Sequence, residues 1–559
     1  MDFRSELKRR LIVFDGAMGT MVQHYGLPPG QLPETFNILH PDVIEDIHRQ
    51  YVEAGADVIT TNTFGANELK LKSTEYTVEQ VVTQAVVLAR RAAGNKWVAL
   101  DMGPIGQLME PMGCLSFEQA YEIYARQVKA GVQAGVDLIL IETLGDLYEA
   151  KAAVLAAKEN SSLPVICTLT FDQSGRTLTG ADPLTAVVVL EGLGVDALGV
   201  NCSLGPEGLL PIVKELVSYS SLPVLVQPNA GLPQMVEGRA VYPLTPEVFQ
   251  RHILTMVRMG VRLVGGCCGT TPDFIRAIRQ GVDGLTPAAL PAKRFTAVAS
   301  GSRAVVFHQG VKVIGGSINA KFNESVIRAI RNGTTGDIVS QAIVQKSQGA
   351  DVLAIDVAIP EMDEKEAMLN LVREIQVVVN LPLELDGLKA DALEVALKLY
   401  NGKPLVRGVN AEQAIMDSVF PAVAKYGACV VGYTGRDERG TPVDARDRLK
   451  MAERIALAAE SYGIPKEDVI IDCTMADVGA LSWEAMEALK AIRLIKDELG
   501  LATTLDIREV CRRWPNDDSI GGTYLAMALA YGLDAPVVDP GDARIVETVR
   551  AFRLLSGQR

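Results

Sequence analysis

From residue 11 to about 285 the chain repeats one pattern. A short apolar, largely β-branched run meets a polar or glycine-rich tip, and a stretch with helical spacing of apolar positions follows. The runs are LIVFDG (11–16), DVITTNTF (57–64), WVALDMGP (97–104), DLILIET (137–143), PVICTLTF (164–171), ALGVNCS (197–203), PVLVQPNAG (223–231) and LVGGCCGT (263–270). Continuous apolar runs separated by helices mark parallel strands buried on both faces. Eight such units predict a (β/α)8 barrel over residues 1–285, with its chemistry at the C-terminal strand ends.

Residues 286–310 carry prolines, small residues and no strong period, and read as a linker. A second series then begins: VKVIGGSIN (311–319), ADVLAIDV (350–357), LPLELDG (381–387), PLVRGVN (404–410), ACVVGYTG (428–435), VIIDCTMA (469–476), ATTLDIRE (502–509) and APVVDP (535–540). Helical spacers such as SWEAMEALKAIRLIKDEL separate these runs. The period is that of βα units rather than of a short solenoid repeat. The expected fold is α/β, two TIM-type barrels in tandem, the second over 311–559.

The strand tips of the first series are polar where a barrel needs them: Asp15, Asn62, Asp101, Glu142, Cys202, Asn229 and the pair Cys267–Cys268. Any one of them is most simply a cap or a turn residue. That explanation weakens when most tips are polar and two of them carry three thiols between them. Free cysteine often only fills a core, and no C-x-x-C pair is present. Adjacent residues in a regular strand point to opposite faces. Cys267 and Cys268 therefore share a metal only where the strand breaks, and Gly265, Gly266 and Gly269 supply that freedom. Three thiolates hold zinc and leave its fourth position open. A substrate thiol bound there loses its proton, which points to alkyl transfer onto sulfur. None of the five histidines falls at a strand tip of this barrel, in keeping with an all-sulfur site. Asp15 and Glu142 are candidates to pair with a substrate ammonium. The Gly-x-x-Gly turn of DGAMGT (15–20), which includes Gly19 and Thr20, offers backbone N–H groups to a carboxylate. Ammonium, carboxylate and thiolate sites together describe an amino-acid thiol.

Composition narrows the partners. The 559 residues are enough for two large barrels, and 48% hydrophobic with 22% charged residues is a globular balance. A net charge of −14 argues against nucleic acid and anionic membranes. The eight cysteines form no compact disulfide framework. Lys8, Arg9 and Arg10 before LIVF imitate the start of a signal peptide, but Asp15 cuts the apolar run short. No stretch is long enough to cross a bilayer, and a reducing cytoplasm is the expected location.

DGAMGT, TNTFGAN, the IET at 141–143, GVNCSLGP and GGCCGTTP resemble the homocysteine-binding module of cobalamin-dependent methionine synthase. The resemblance covers nearly all of 1–285. It implies that Cys202, Cys267 and Cys268 bind zinc, that homocysteine sulfur takes the fourth site, and that Asp15 and Glu142 face the substrate amino group. Betaine and S-methylmethionine methyltransferases share this barrel, so the module alone does not name the methyl donor. A base-off cobalamin site in this family uses Asp-x-His-x-x-Gly. Asp46-Ile47-His48 begins such a match, but Tyr51 stands at the glycine position. Methylcobalamin is accordingly expected on a separate corrinoid protein.

The second series resembles the folate-binding module of the same family through its position and through ADVLAID, GKPLV and YGLDAPVVDP. Asn319, Asp386 and Asp472 stand where that family places groups toward a pterin. The departures are several. A Gly-Glu-Arg-Ile-Asn-like opening is here Gly315-Gly316-Ser317-Ile318-Asn319, and Leu-Asp-Val-Asn is here Leu353-Ala354-Ile355-Asp356. An Asn-Ser pair is replaced by Arg407-Gly408, and a late Ser-Asn by Arg508-Glu509 before VCRRWP. This half therefore binds 5-methyltetrahydrofolate by a rearranged site, binds another small methyl donor, docks a methylated corrinoid protein, or is a barrel without a ligand. Weak or absent binding of methyltetrahydrofolate is the expectation.

The chain is expected to be a homocysteine S-methyltransferase that takes methyl from a methyl-corrinoid. The alternatives are direct transfer from a betaine- or sulfonium-type donor, and a protein that holds a thiol amino acid without turning it over.

Overall fold

Each apolar run of the first half becomes a strand: β1 Ile12–Val13, β2 Val58–Thr60, β3 Trp97–Met102, β4 Leu138–Leu144, β5 Val165–Leu169, β6 Ala197–Asn201, β7 Val224–Gln227 and β8 Leu263–Val264. Sequence neighbours pair in parallel, and β8 pairs with β1. A parallel bridge between Phe14 and Val58 joins β1 to β2 and closes the ring. Every described position of β5, β6 and β7 is buried, as a strand covered on both faces requires. Helices alternate with the strands and several start on side-chain caps, including full capping boxes at Thr77 with Gln80 and at Ser116 with Gln119. At the N-terminal end of this barrel the buried Asp57 accepts from Arg10 and Arg279, both at 2.9 Å.

The computed structural model describes residues 2–558 other than 29, 237–238, 322, 360–363, 388, 437–442, 476–481 and 514–517. They divide into two units, Met1–Ala292 and Lys293–Arg559. No helix among the described residues is long and apolar enough to cross a membrane.

The second unit is a closed barrel of β9 Ile314–Asn319, β10 Val352–Asp356, β11 Leu383–Asp386, β12 Leu405–Asn410, β13 Cys429–Tyr433, β14 Val469–Asp472, β15 Ala502–Asp506 and β16 Ala535–Val538. The expected linker is shorter than its composition suggested. Ala297–Ser300 and Ala304–Val306 pair as an antiparallel hairpin, which also pairs with Gly402–Lys403. Burial decides this: Val298, Val305 and Phe307 join the core of the second barrel, and so few apolar positions leave no visible period. Beneath this barrel Lys293 and Lys403 both meet the buried Asp468, at 2.8 and 2.7 Å.

Candidate metal centre and substrate cavity

Two strand tips turn sharply to bring the thiols together. β6 ends at Asn201, and Cys202 and Ser203 follow with φ of 59° and 50°. Non-glycine residues rarely hold this left-handed conformation, and it persists only where the surroundings impose it. Here the Cys202 N–H donates to Gln227 O at 3.0 Å, and the Leu204 N–H returns to Cys202 O at 2.6 Å. β8 breaks at Gly265 and Gly266, as the sequence requires. A Cβ at Gly266 would lie 2.4 Å from Thr270 Oγ1, so the backbone packs there only as glycine. The Cys267 N–H donates to Pro228 O at 2.8 Å, and Cys268 O accepts from Ala230 at 2.9 Å. Both cysteines are thereby fixed to the tip of β7.

The result is a cluster of Cys202, Cys267 and Cys268 whose sulfurs all lie within 4.8 Å of one another. Cys202 Sγ and Cys268 Sγ are 3.9 Å apart. Tetrahedral zinc with Zn–S bonds of about 2.3 Å needs sulfurs about 3.8 Å apart, so this donor set fits zinc with one position to spare. Cys268 is the readiest to ionise: hydrogen bonds from Cys202 and Cys267 hold its pKa down to about 3. Cys267 is pushed up in turn by its hydrogen bonds to the same neighbours.

The thiols lie in a cavity of about 420 Å³ that Asp15, Gly16–Thr20, Thr60, Asp101 and Glu142 also line. Asp15 accepts from the Thr60 N–H at 2.8 Å and from the Thr60 hydroxyl at 3.0 Å. Burial nevertheless pushes its pKa up to about 7. Glu142 is pushed up to about 8, first by burial and then by Cys202 and Asp15. Asp101 is raised well above the ordinary carboxylate range by burial and by Glu142. A cavity that holds this many carboxyls in a poorly solvated space is suited to a cationic ligand.

The turn after β1 forms another part of the cavity wall. Gly19 and Thr20 fall in the first turn of a helix, Met18–His24, whose N-terminus has no side-chain cap. Those first-turn N–H groups are the ones a helix cannot satisfy itself. The Thr20 hydroxyl accepts from the Gly269 N–H at 3.0 Å and so also ties this turn to the cysteine loop. Of the expected substrate residues, Asn229 does not line the cavity. It is buried, and its backbone N–H donates to Leu204 O at 3.1 Å beside the Cys202 turn.

Several residues were not singled out by sequence. Asn201 donates to Glu142 Oε2 at 3.3 Å and to Thr143 Oγ1 at 2.7 Å. Its Oδ1 accepts from the Thr168 hydroxyl at 2.8 Å. Glu34 lines the cavity and accepts from the Gly65 N–H at 2.5 Å, while its Oε2 is buried without a partner. Lys70 donates to Pro104 O at 2.8 Å and lies over the Phe64 ring. Tyr242 hydrogen-bonds Cys268 and packs on Gly269. Only Asn201, next to a cysteine at a strand end, carried a signal that sequence reading could have used.

In the second barrel Asn319, Asp386 and Asp472 all end strands at the C-terminal face. The Asn319 Oδ1 accepts from the Lys321 N–H at 2.8 Å, and its amide donates to Asp356 Oδ2 at 3.4 Å. Burial pushes Asp386 up to about 6. The loop read as VCRRWP lies partly outside the described residues.

Residues 12–282 match the model of the homocysteine S-methyltransferase family, and residues 316–507 match that of the pterin-binding enzymes. The chain is 30% identical to the methionine synthase of Mycobacterium leprae over 548 residues, covering 91% of the chain and 45% of that protein. It is also 30% identical to the methionine synthase of Mycobacterium tuberculosis over 543 residues, with the same shares of 91% and 45%. The chain spans about half the length of the curated relatives it matches. Among solved structures, the metallated form of the homocysteine methyltransferase MmuM from Escherichia coli matches 50% of the chain and 99% of its own length, at 25% identity and a TM-score of 0.44. Residues 12–282 thus belong to the homocysteine S-methyltransferase family, and a domain of the pterin-binding family follows them in the same chain.

Proposed function

We propose that the first barrel transfers a methyl group to the sulfur of homocysteine, giving methionine. One observation carries the proposal: three thiols from two strand tips converge in a cavity that also holds Asp15 and Glu142. Cys202, Cys267 and Cys268 would hold zinc, which when bound lowers the pKa of a substrate thiol and fixes its position. The protein's own groups do the rest. Asp15 and Glu142 bind the substrate ammonium, and Asn201 holds Glu142 in place. The first turn of the helix at Met18 receives the carboxylate. The substrate is then held at its two charged ends, with its sulfur aimed at the thiol cluster and open to a methyl donor from the cavity mouth.

The donor in this proposal is a methyl-corrinoid brought by a separate protein. Its support is the likeness to methionine synthases across both barrels. A screen of methylcobalamin, betaine and sulfonium donors, read as methionine formed, tests it. Methionine from methylcobalamin supports the proposal. Methionine from a sulfonium or betaine alone replaces the corrinoid with direct transfer, and binding without methionine from any donor reduces the barrel to a thiol amino-acid binder.

A further inference from the structure

Among the described residues, the mouth of the second barrel gathers several charged side chains that pair with one another. Arg407 lies on β12, where the register with β13 shifts between Val406 and Val409. Gly408 takes a φ of 109° at that point, which glycine reaches freely. A bulge of this kind bends a strand and re-aims a side chain. Arg407 reaches both flanking acids. Its Nε donates to Glu384 Oε1 at 2.7 Å and its Nη2 to Glu384 Oε2 at 3.3 Å. Its Nη1 donates to Asp472 Oδ2. The guanidinium and both acids are deeply buried, with side chains 14%, 1% and 6% exposed.

Both carboxylate oxygens of Asp472 are engaged. Its Oδ1 accepts from the Thr474 N–H at 2.8 Å and from the Thr474 hydroxyl at 2.5 Å, and Arg407 takes Oδ2. A second arginine repeats the arrangement nearby. Arg508 binds Asp506 through Nε at 2.9 Å and Nη2 at 2.5 Å, and its Nη1 donates to Gly316 O. A Cβ at Gly316 would stand 2.5 Å from the Arg508 guanidinium carbon, so the bare glycine there makes room for the arginine. Lys321 meets Asp356 at 2.7 Å. Two of the strands that depart from the family pattern, at Gly316-Ser317 and Arg407-Gly408, are also strands whose pairing register shifts at those positions.

We propose that Arg407 is the specificity-determining residue of the second barrel: it occupies the donor position against Asp472 that the ring of a reduced pterin would take, and it closes this barrel to reduced folates. A pterin offers ring N–H and amino donors to a carboxylate. To reach Asp472 it must displace a guanidinium that also neutralises Glu384, leaving buried charges unpaired. Breaking a buried ion pair in this way costs about 100- to 5,000-fold in affinity. Methyl groups then reach the first barrel from a carrier charged by a separate methyl transfer. The inference rests on the pterin-binding family match and is independent of the zinc assignment.

Calorimetric titration of the full chain with 5-methyltetrahydrofolate tests it, using the parent, Arg407→Asn, and Arg407→Asn combined with Glu384→Gln. The combined variant removes the cation together with the charge it neutralises. The parent should show no binding tighter than about 1 mM. The combined variant, folded by circular dichroism, should bind at least about tenfold more tightly than the parent. Micromolar binding by the parent overturns the proposal, and so does a folded combined variant with no gain. If neither variant folds, the parent titration decides alone. Zinc content and homocysteine-dependent turnover of the same preparations report on the first barrel, so a failure there is seen separately.

Discussion

The backbone N–H of Thr143 donates to Asn201 Oδ1 at 2.8 Å and ties the tip of β4 to the tip of β6. Thr143 has a φ of 64°, and the residues after Asn201 are Cys202 and Ser203 at 59° and 50°. Among the described residues these are the non-glycine positions with left-handed backbone. Each such conformation costs about 1–3 kcal/mol, and all three gather around one amide. Asn201→Ala removes that amide and leaves buried partners unsatisfied. It is predicted to lower unfolding stability by about 1–3 kcal/mol and to weaken homocysteine binding about tenfold. Denaturant titration and calorimetry check both, and parent-like values for both would show that Asn201 only fills space.

The two carboxyls that face the proposed ammonium are separable from the metal. Asp15→Asn and Glu142→Gln each lose a charge-assisted contact worth about 1.5–3 kcal/mol, or roughly 10- to 100-fold in homocysteine affinity. Zinc content, read by atomic absorption, should stay at the parent level in both. Homocysteine binding as tight as the parent's in both variants means that the ammonium lies elsewhere.

Protons should leave when the amino acid binds. Burial raises Asp15 to about 7 and Glu142 to about 8, so near pH 7 the empty cavity holds protons. An ammonium favours the charged carboxylates and drives those protons off. Methionine, which has no thiol proton to lose, should therefore bind with proton release between about pH 6 and 8, and more tightly as pH rises through that window. Calorimetry in two buffers of different ionisation heat measures the release. Proton uptake, or no exchange, contradicts the charge assignment. The stability of the empty protein has the opposite slope. Both folded pKa values are raised, so their contribution is full below the unfolded values of 3.8 and 4.5 and is lost as pH rises through about 7 and 8.

Both barrels were legible in the sequence because parallel strands buried on both faces leave only their tips polar. Asp15, Glu142 and the three cysteines stood out against LIVF, LILI and LVGG for that reason. Asn201 did not, because it reads as the last residue of a strand. Its importance comes from a left-handed turn at Cys202 that no glycine announces. Glu34 and Lys70 line the cavity from the short helices Pro33–Thr35 and Glu68–Leu71, and Tyr242 meets Cys268 from a loop; segments this short carry no periodicity that points inward. Arg407 was visible as a departure from the family pattern. Its partners were not, because Glu384 and Asp472 come from other strands and only barrel closure brings them within reach. The hairpin at 297–306 was hidden by its few apolar residues, which become informative only when the barrel core that buries them is known.

The central claim is that Cys202, Cys267 and Cys268 hold a zinc ion on which homocysteine is methylated. The most direct measurement is methionine formation from homocysteine and methylcobalamin, followed optically as the cobalt–methyl bond is lost. It compares the zinc-loaded parent, the chelator-stripped parent and Cys268→Ala. The account predicts turnover in the first and none above the uncatalysed rate in the other two, with about one zinc per chain lost on stripping. Equal turnover by Cys268→Ala or by the stripped protein would contradict it.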